Sequence, residues 1–336
     1  MSKKLFVVMS LLVVVAMLAA CTPAAAPATQ APAAQQPAAQ QPAATGAKPY
    51  IPVISKGFQH QFWQAVKLGA QNAAKDLNVD ITFEGPETEA MVDKQVEMFQ
   101  TALEKKPAAI CLAAVDSKAF APLLQKAKDA NIPVIGFDSG VDSDIPVSTA
   151  STDNIAAAAL IADKMATLIG GSGEVAVIAH DQTSRTGIDR VKGFTDQIKA
   201  KYPNIKIVDT QYGAGDQLKS TDIAKAVIGA HPNLKGYFGA NEGSIIGVLN
   251  AVKELNMAGK LAVIGYDSGQ QQMDAIRSGA ESGAVTQDPI GIGYKCVDAA
   301  LKASKGVALP KTIDTGFMWY DKTNIDDPKI QAVLYK

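Results

Sequence analysis

From Tyr50 onward, short runs of consecutive apolar residues alternate with longer stretches in which apolar residues return every third or fourth position. The first spacing predicts buried strands and the second predicts helices with one face on a core. Strands are expected at IPVIS (51–55), VDITFE (79–84), AAICLA (108–113) and IPVIGF (132–137), with helices near 61–77, 90–105 and 119–130. A fifth strand at 145–149 is followed by Asp153-Asn154, a helix-start signal for residues 155–169. The series then begins again. Strands are expected at 174–179, 205–210, 236–239 and 261–266, and helices near 185–201, 217–230, 243–256 and 270–278. A last strand, SGAVTQ (282–287), leads into a helix at about 289–304. Strands alternating with helices imply βαβ units, hence parallel sheets covered on both faces. Two such series in tandem predict an α/β chain of two doubly wound lobes, whose ligands bind beyond the carboxyl ends of the strands.

One heptapeptide occurs almost identically in both series: VIGFDSG (134–140) and VIGYDSG (263–269). In each copy the apolar residues form the strand, and Asp138 or Asp267 falls at its carboxyl end. Asp-Ser-Gly alone is ordinary turn chemistry. Two copies at equivalent positions instead suggest two carboxylates facing one cleft from opposite walls.

The ends of the chain carry location rather than chemistry. Ser2, Lys3 and Lys4 precede sixteen uncharged, mostly apolar residues, Leu5–Ala20. That run is short for a membrane span and right for a signal-peptide core, so residues 1–20 are expected to be a signal peptide. It closes on Leu18-Ala19-Ala20-Cys21, which resembles the lipobox of bacterial lipoproteins and implies lipidation of Cys21 and attachment to the membrane. Residues 21–48 are almost entirely Ala, Pro, Gln and Thr, and prolines every few residues forbid a continuous helix. They are expected to form a solvated tether.

The remaining ~290 residues exceed a typical single core, which supports two lobes. Formal net charge is −1, and loss of Lys3 and Lys4 with the leader makes it −3, with no basic run to suggest nucleic acid. Besides Cys21 the chain has only Cys111, in a strand pattern, and Cys296, in a helical one. Both read most simply as buried core thiols; a disulfide between them is the alternative outside the cell.

Scarce residue types gather at strand ends. The first strand runs into Lys56-Gly57-Phe58-Gln59-His60-Gln61-Phe62-Trp63, where three aromatics and a histidine suggest a stacking and hydrogen-bonding surface. HDQTSRTGIDR (180–190) holds Arg185 and Arg190, two of only three arginines, and an arginine where lysine would serve suggests use of its donor fork. Asn241 follows the strand YFGA, and Gln287 ends AVTQ. No nucleophile-and-base motif, metal cluster or phosphate loop occurs. A catalytic residue, a cofactor and a metal are therefore not expected, and an acid–base pair of Asp138 and Asp267 in a carbohydrate-active enzyme is the weaker reading.

From Tyr50 to Gly316 the chain resembles the periplasmic sugar-binding proteins of the ribose and galactose type, extracytoplasmic receptors of ABC importers. The likeness rests on the order and spacing of FWQAVKLGAQ, NIPVIGFDS, STDNIAAA, RVKGF, GANEGSIIGVLNAV, VIGYDS and GAVTQDPIGIG. It implies the periplasmic-binding-protein type I fold: two flavodoxin-like lobes with a three-strand hinge, 50–152 plus 288–313 and 154–286 plus 314–336, closing over a ligand. By position, Phe62 and Trp63 resemble the aromatics flanking a sugar ring and His60 a nearby polar contact. Asp138 and Asp267 resemble the carboxylates that accept from hydroxyls, Arg190 the donor to ring oxygens, and Asn241 and Gln287 the amide contacts. The implied partners are a small sugar or polyol and the permease and ATPase subunits of an importer, with the receptor itself a monomer.

The chain departs from the ribose pattern at three places. Ser139 stands where many members have arginine, Ala113 replaces a polar residue, and Gly213-Ala214-Gly215 replaces an aromatic, with Tyr212 close by. Arg185, His180, Asp181 and Tyr212 are candidate substitutes. These departures leave other pentoses, hexoses and sugar alcohols open. Nucleosides, autoinducer-2-like ligands and a sensor presenting sugar to a chemoreceptor or kinase are the alternatives. Repressors of the lac type share the architecture but begin with a helix-turn-helix, not a leader.

Overall fold

The computed structural model describes residues 48–335; the leader, Cys21 and the tether lie outside them. The described chain forms two six-stranded sheets. The first contains β1 (Tyr50–Ile54), β2 (Asp80–Glu84), β3 (Ile110–Leu112), β4 (Val134–Phe137), β5 (Ser148–Ser151) and β11 (Thr312–Asp314), in the order β2-β1-β3-β4-β5-β11. The second contains β6 (Gly173–Ala179), β7 (Ile205–Tyr212), β8 (Leu234–Gly239), β9 (Ala262–Tyr266), β10 (Gly283–Gln287) and β12 (Phe317–Tyr320), in the order β7-β6-β8-β9-β10-β12. Both have the doubly wound 2-1-3-4-5 arrangement with one added edge strand, as the alternation of elements predicts. The chain passes between the sheets after β5, after β10 and after β11.

Ten helices cover the sheets: α1 (Gln61–Leu77), α2 (Val92–Glu104), α3 (Ala121–Asp129), α4 (Asn154–Leu168), α5 (Arg185–Lys201), α6 (Gln217–Ala230), α7 (Glu242–Glu254), α8 (Gln270–Ser278), α9 (Pro289–Ser304) and the short α10 (Pro328–Gln331) among the described residues. Alternate residues of each strand supply separate cores. Val53, Cys111 and Ile135 pack under α1 and α9, while Ile54, Leu112 and Val134 pack under α2 and α3. In the second sheet Val177, Phe238 and Ile264 meet α4 and α5, while Ile178, Tyr237 and Val263 meet α6 and α7. This explains why the strands read as continuous apolar runs. Among the described residues no helix is long and apolar enough to cross a membrane.

Helices α1 and α9 cross where each offers a glycine to the other's backbone. A Cβ on Gly69 would collide with the carbonyl of Ile290, and one on Gly293 with the carbonyl of Val66. Gly69→Ala should therefore lower stability by about 1–3 kcal/mol despite alanine's better helix propensity. A fall in the urea midpoint checks this; an unchanged midpoint would mean that the helices can separate at no cost.

Three expectations need correction. The fifth strand begins at Ser148, not 145, because Pro146 has no N–H for the ladder and disfavours regular pairing before it. β12 runs antiparallel to β10, so the second sheet is not wholly parallel. Finally, Cys111 and Cys296 are not free thiols but a disulfide, joining β3 to α9 with Cα atoms 6.3 Å apart. That separation lies within the normal disulfide range.

Candidate functional site

In 2-1-3-4-5 sheets the connections on either side of the first strand leave in opposite directions and open a crevice at its carboxyl end. Both sheets of this protein turn that end toward one shared cavity of about 250 Å³. From the first sheet it is lined by Lys56, His60, Phe62 and Trp63 after β1, Glu89 after β2 and Asp138 after β4. From the second it is lined by His180 after β6, Arg190 in α5, Asn241 after β8, Asp267 after β9 and Gln287 at the end of β10.

The two aspartates share a backbone conformation as well as a heptapeptide. Asp138 has φ +55° and Asp267 φ +81°, a left-handed region in which Asp is tolerated better than most side chains. Each residue thereby turns the chain off its strand at the cavity wall. Asp267 is held at both oxygens, each keeping a lone pair to offer: Oδ1 accepts from Gln287 Nε2 at 2.7 Å, Oδ2 accepts from the Glu242 N–H at 3.0 Å, and Arg190 Nη1 lies 3.8 Å away. Arg190 is fixed in turn by Asn154 Oδ1 at 2.8 Å, by the Ala240 carbonyl at 2.9 Å and by the Tyr266 ring, 3.7 Å from its guanidinium. The Asp138 carboxylate, although only 4 % exposed, has no protein donor among the described residues.

The opposite wall is built on Glu89. Its Oε1 accepts from Trp63 Nε1 at 2.8 Å, and Lys56 Nζ lies 3.5 Å from Oε2. Lys56 also donates to Thr186 Oγ1 at 3.0 Å, which links the two lobes. Phe62 and Trp63 stand edge to face at 5.0 Å, with Tyr335 behind Phe62 at 6.0 Å and Phe137 behind Trp63 at 6.3 Å. Several buried polar atoms find no protein partner: both His60 nitrogens, His180 Nδ1, Glu89 Oε2 and Gln287 Oε1. Buried polar groups are rarely left unpaired, and these five atoms belong to residues that line the cavity, where a ligand or water can partner them.

Burial shapes the charges. It works against ionisation of Glu89, yet the neighbouring Lys56 and His60 outweigh it and hold the carboxyl at about 2. It disfavours the Lys56 ammonium too, but Glu89, Asp138 and Asp181 keep that pKa above its ordinary value. Asp138 is pushed up to about 6 by burial, which Lys56 and Arg190 only partly offset. Burial and the adjacent Lys56 take His180 down to about 3, so its ring is neutral near pH 7.

Of the residues singled out from the sequence, His60, Phe62, Trp63, Asp138, Arg190, Asn241, Asp267 and Gln287 converge on the cavity; Ser139 and Arg185 do not. Ser139 is fully buried behind Asp138, its carbonyl accepting from the Ala114 N–H at 2.9 Å. Arg185 is turned outward to Asp142 and Asp189 and is about one third exposed. Asp181 organises its own turn, accepting from the Thr183 and Ser184 N–H groups at 2.9 and 2.7 Å. Of the suggested substitutes only His180 lines the cavity; Tyr212 does not. At Gly215, φ +67°, a Cβ would lie 3.2 Å from His60 Nε2 and 3.4 Å from Asn241 Nδ2. The loop backbone thus sits directly against His60, which explains why no ring stands there. Sequence reasoning missed Lys56 and Glu89. Lys56 was visible as a lysine ending a strand, whereas nothing separated Glu89 from Glu87.

The sequence profile of the periplasmic binding protein domain matches residues 51–307. The D-ribose/D-allose-binding protein of Pseudomonas aeruginosa is 28 % identical over 243 residues, covering 70 % of this chain and 76 % of that one. A solute-binding protein from Agrobacterium vitis, solved with bound D-fucose, is 37 % identical with a TM-score of 0.83, over 85 % of this chain and all of the other. A carbohydrate transporter solute-binding protein from Agrobacterium radiobacter, in complex with D-arabinose, is 35 % identical with a TM-score of 0.83, over 86 % and 99 %. With its two 2-1-3-4-5 sheets and the profile match over most of its length, the chain belongs to the periplasmic binding protein domain family.

Proposed function

We propose that this protein is an extracytoplasmic receptor, anchored through a lipidated Cys21, that captures a neutral monosaccharide or sugar alcohol by lobe closure and delivers it to an ABC importer. The observation that carries this reading is the unspent hydrogen-bonding capacity of a small cavity whose lysine and arginine are already matched. Lys56 is matched with Glu89, and Arg190 with Asp267. A sugar acid or sugar phosphate would find no free cation, and would face the unpaired Asp138. A polyol both donates and accepts at every hydroxyl, which suits carboxylates, amides and imidazoles together, while Phe62 and Trp63 offer apolar ring surface. A disulfide agrees with a location outside the cytoplasm. The relatives that bind ribose or allose, fucose and arabinose support the ligand class. Closure would bring together lobes 50–152 with 288–313 and 154–286 with 314–336.

A thermal-shift screen of D-ribose, D-allose, D-arabinose, D-fucose, xylitol and adenosine tests the reading. A true ligand at ~100 times its dissociation constant should add ~2.7 kcal/mol. Stabilisation by adenosine and by none of the others would contradict it. Sugars recovered after incubation should be unchanged.

The pH profile follows from Asp138. A sugar hydroxyl donates to the ionised carboxylate and stabilises that form, so binding releases a proton when the free protein is protonated there. With the folded group at about 6, affinity should rise roughly tenfold between pH 5 and pH 7 and level off above. Asp138→Asn should flatten the profile; an unaltered slope in that variant would assign the titration to another group. Folding stability has the opposite sign here. The unfolded carboxyl titrates near ~4, so this group's contribution falls as pH rises from there through about 6.

A further inference from the structure

Helices α1 and α8 begin without a side-chain cap of their own. Their N-cap residues are His60 and Gly269, and neither side chain bonds to the helix that follows. The first N–H groups of a helix have no partner inside it and must find acceptors elsewhere. Here the acceptors come from across the cleft. Glu242, the first residue of α7 on the second sheet, accepts from the Gln61 N–H with Oε1 and the Phe62 N–H with Oε2, each at 3.0 Å. Gln61, the first residue of α1, returns the contact: its Oε1 accepts from the Gln270 N–H at the start of α8, at 2.9 Å. Helix α7 has its own cap, Asn241 Oδ1 accepting from the Ser244 N–H at 3.0 Å. The Glu242 carboxylate is therefore spent wholly on the other lobe. Glu242 is 3 % exposed and does not line the cavity. Its backbone N–H donates to Asp267, but the carboxylate bonds only to α1, whose first turn carries Phe62 and Trp63.

We propose that Glu242 and Gln61 form a reciprocal cross-lobe cap, a latch made only when the lobes are closed, which holds the aromatic turn of α1 in place and sets how long the ligand stays. The proposal rests on lobe closure as the mode of capture. Both residues are positioning residues. Two features make the latch directional: the acceptors are polar atoms that water can satisfy when the lobes part, and the start of α1, buried at Phe62, has no side-chain cap of its own. Opening thus breaks three hydrogen bonds together, whereas encounter with ligand in the open cleft precedes their formation.

Stopped-flow tryptophan fluorescence with D-arabinose and D-fucose separates these steps. Glu242→Ala should raise the dissociation rate about tenfold, equivalent to ~1.4 kcal/mol, with the association rate within about twofold of wild type. Gln61→Ala should raise dissociation about threefold, and Glu242→Gln, which keeps one good acceptor, should fall between wild type and Glu242→Ala. A purely structural role would instead lower both the melting temperature and the association rate. A wild-type dissociation rate in Glu242→Ala, or a loss confined to association, overturns the latch; should Glu242→Ala not fold, Glu242→Gln and Gln61→Ala decide by the same rates. If the wild type answers to none of D-ribose, D-allose, D-arabinose and D-fucose, that counts against the proposed ligand class alone. The latch is then judged by amide exchange. The closed form in which these bonds are made protects Gln61 and Phe62, so Glu242→Ala should speed exchange there about tenfold relative to ligand-free wild type under conditions in which wild type shows that protection; equal exchange, or no protection of these two amides in wild type, overturns it.

Discussion

Replacing Asp267 with alanine is expected to weaken sugar binding by roughly two orders of magnitude, the largest loss of affinity for any single residue in the cavity. The reason is the number of groups that depend on one carboxylate. It accepts from Gln287 at 2.7 Å and from the Glu242 N–H at 3.0 Å, and it neutralises Arg190 at 3.8 Å. Truncating one partner of a buried, hydrogen-bonded charge pair costs about 2–5 kcal/mol. A middle value of ~3 kcal/mol corresponds to a factor of ~150. Arg190 would remain buried with only neutral acceptors, Asn154 and the Ala240 carbonyl. The backbone adds a second cost, because alanine tolerates φ +81° less well than aspartate. Asp267→Asn separates the two: it keeps the turn preference and one acceptor but loses the charge. Calorimetric titration of both variants, read beside their melting curves, should show Asn melting near wild type with weakened binding, and Ala losing on both counts. Affinity within threefold of wild type in Asp267→Ala would remove this residue from the site.

Breaking the Cys111–Cys296 disulfide should have the largest effect on stability. The bond spans 185 residues and ties a central strand of the first sheet to α9, the helix that follows the last strand of the second series. Between its ends lies nearly all of the second sheet. In the chain-entropy picture so long a loop gives roughly 5 kcal/mol, and removal of native disulfides typically costs about 2–5 kcal/mol. For a domain of this size that is a fall of about 3–8 °C in melting temperature. The Cys111→Ala/Cys296→Ala double variant should show it, and reduced wild type should match. Neither cysteine lines the cavity, so sugar affinity at 25 °C should stay within about threefold. Equal melting temperatures in the two redox states would mean that packing of β3 on α9 alone fixes this junction.

The fold was legible because its signal is regular. Consecutive apolar residues such as Val53 and Ile54 serve separate cores on opposite faces of one sheet, and this places each strand and each carboxyl end. The aspartates were legible for the same reason, being identical residues at the same point of two matching strands. Edge elements were not. Thr312–Asp314 is three residues long and half exposed, and β12 pairs antiparallel, so neither carries the pattern of a buried parallel strand. Arg185 was misread, although helix geometry could have separated it from Arg190. Five residues in an α-helix turn the side chain by about 140°, and only one of the two can face the cavity. The pairing of Lys56 with Glu89 was hidden for a different reason. Each is a common surface residue type made functional by its partner, and their pairing joins the ends of β1 and β2, a proximity that no local pattern reports. The disulfide is similar: two cysteines 185 residues apart meet only because α9 returns to the first sheet.

The most direct test of the account is a crystal structure of the protein grown with the sugar that gives the largest thermal shift. The predicted result is one monosaccharide ring between the lobes against Phe62 and Trp63. Its hydroxyls should lie within hydrogen-bond distance of Asp138 and Asp267 from opposite walls, and of Glu89 and His60. A sugar bound outside this cavity, or one that reaches neither aspartate, would contradict it.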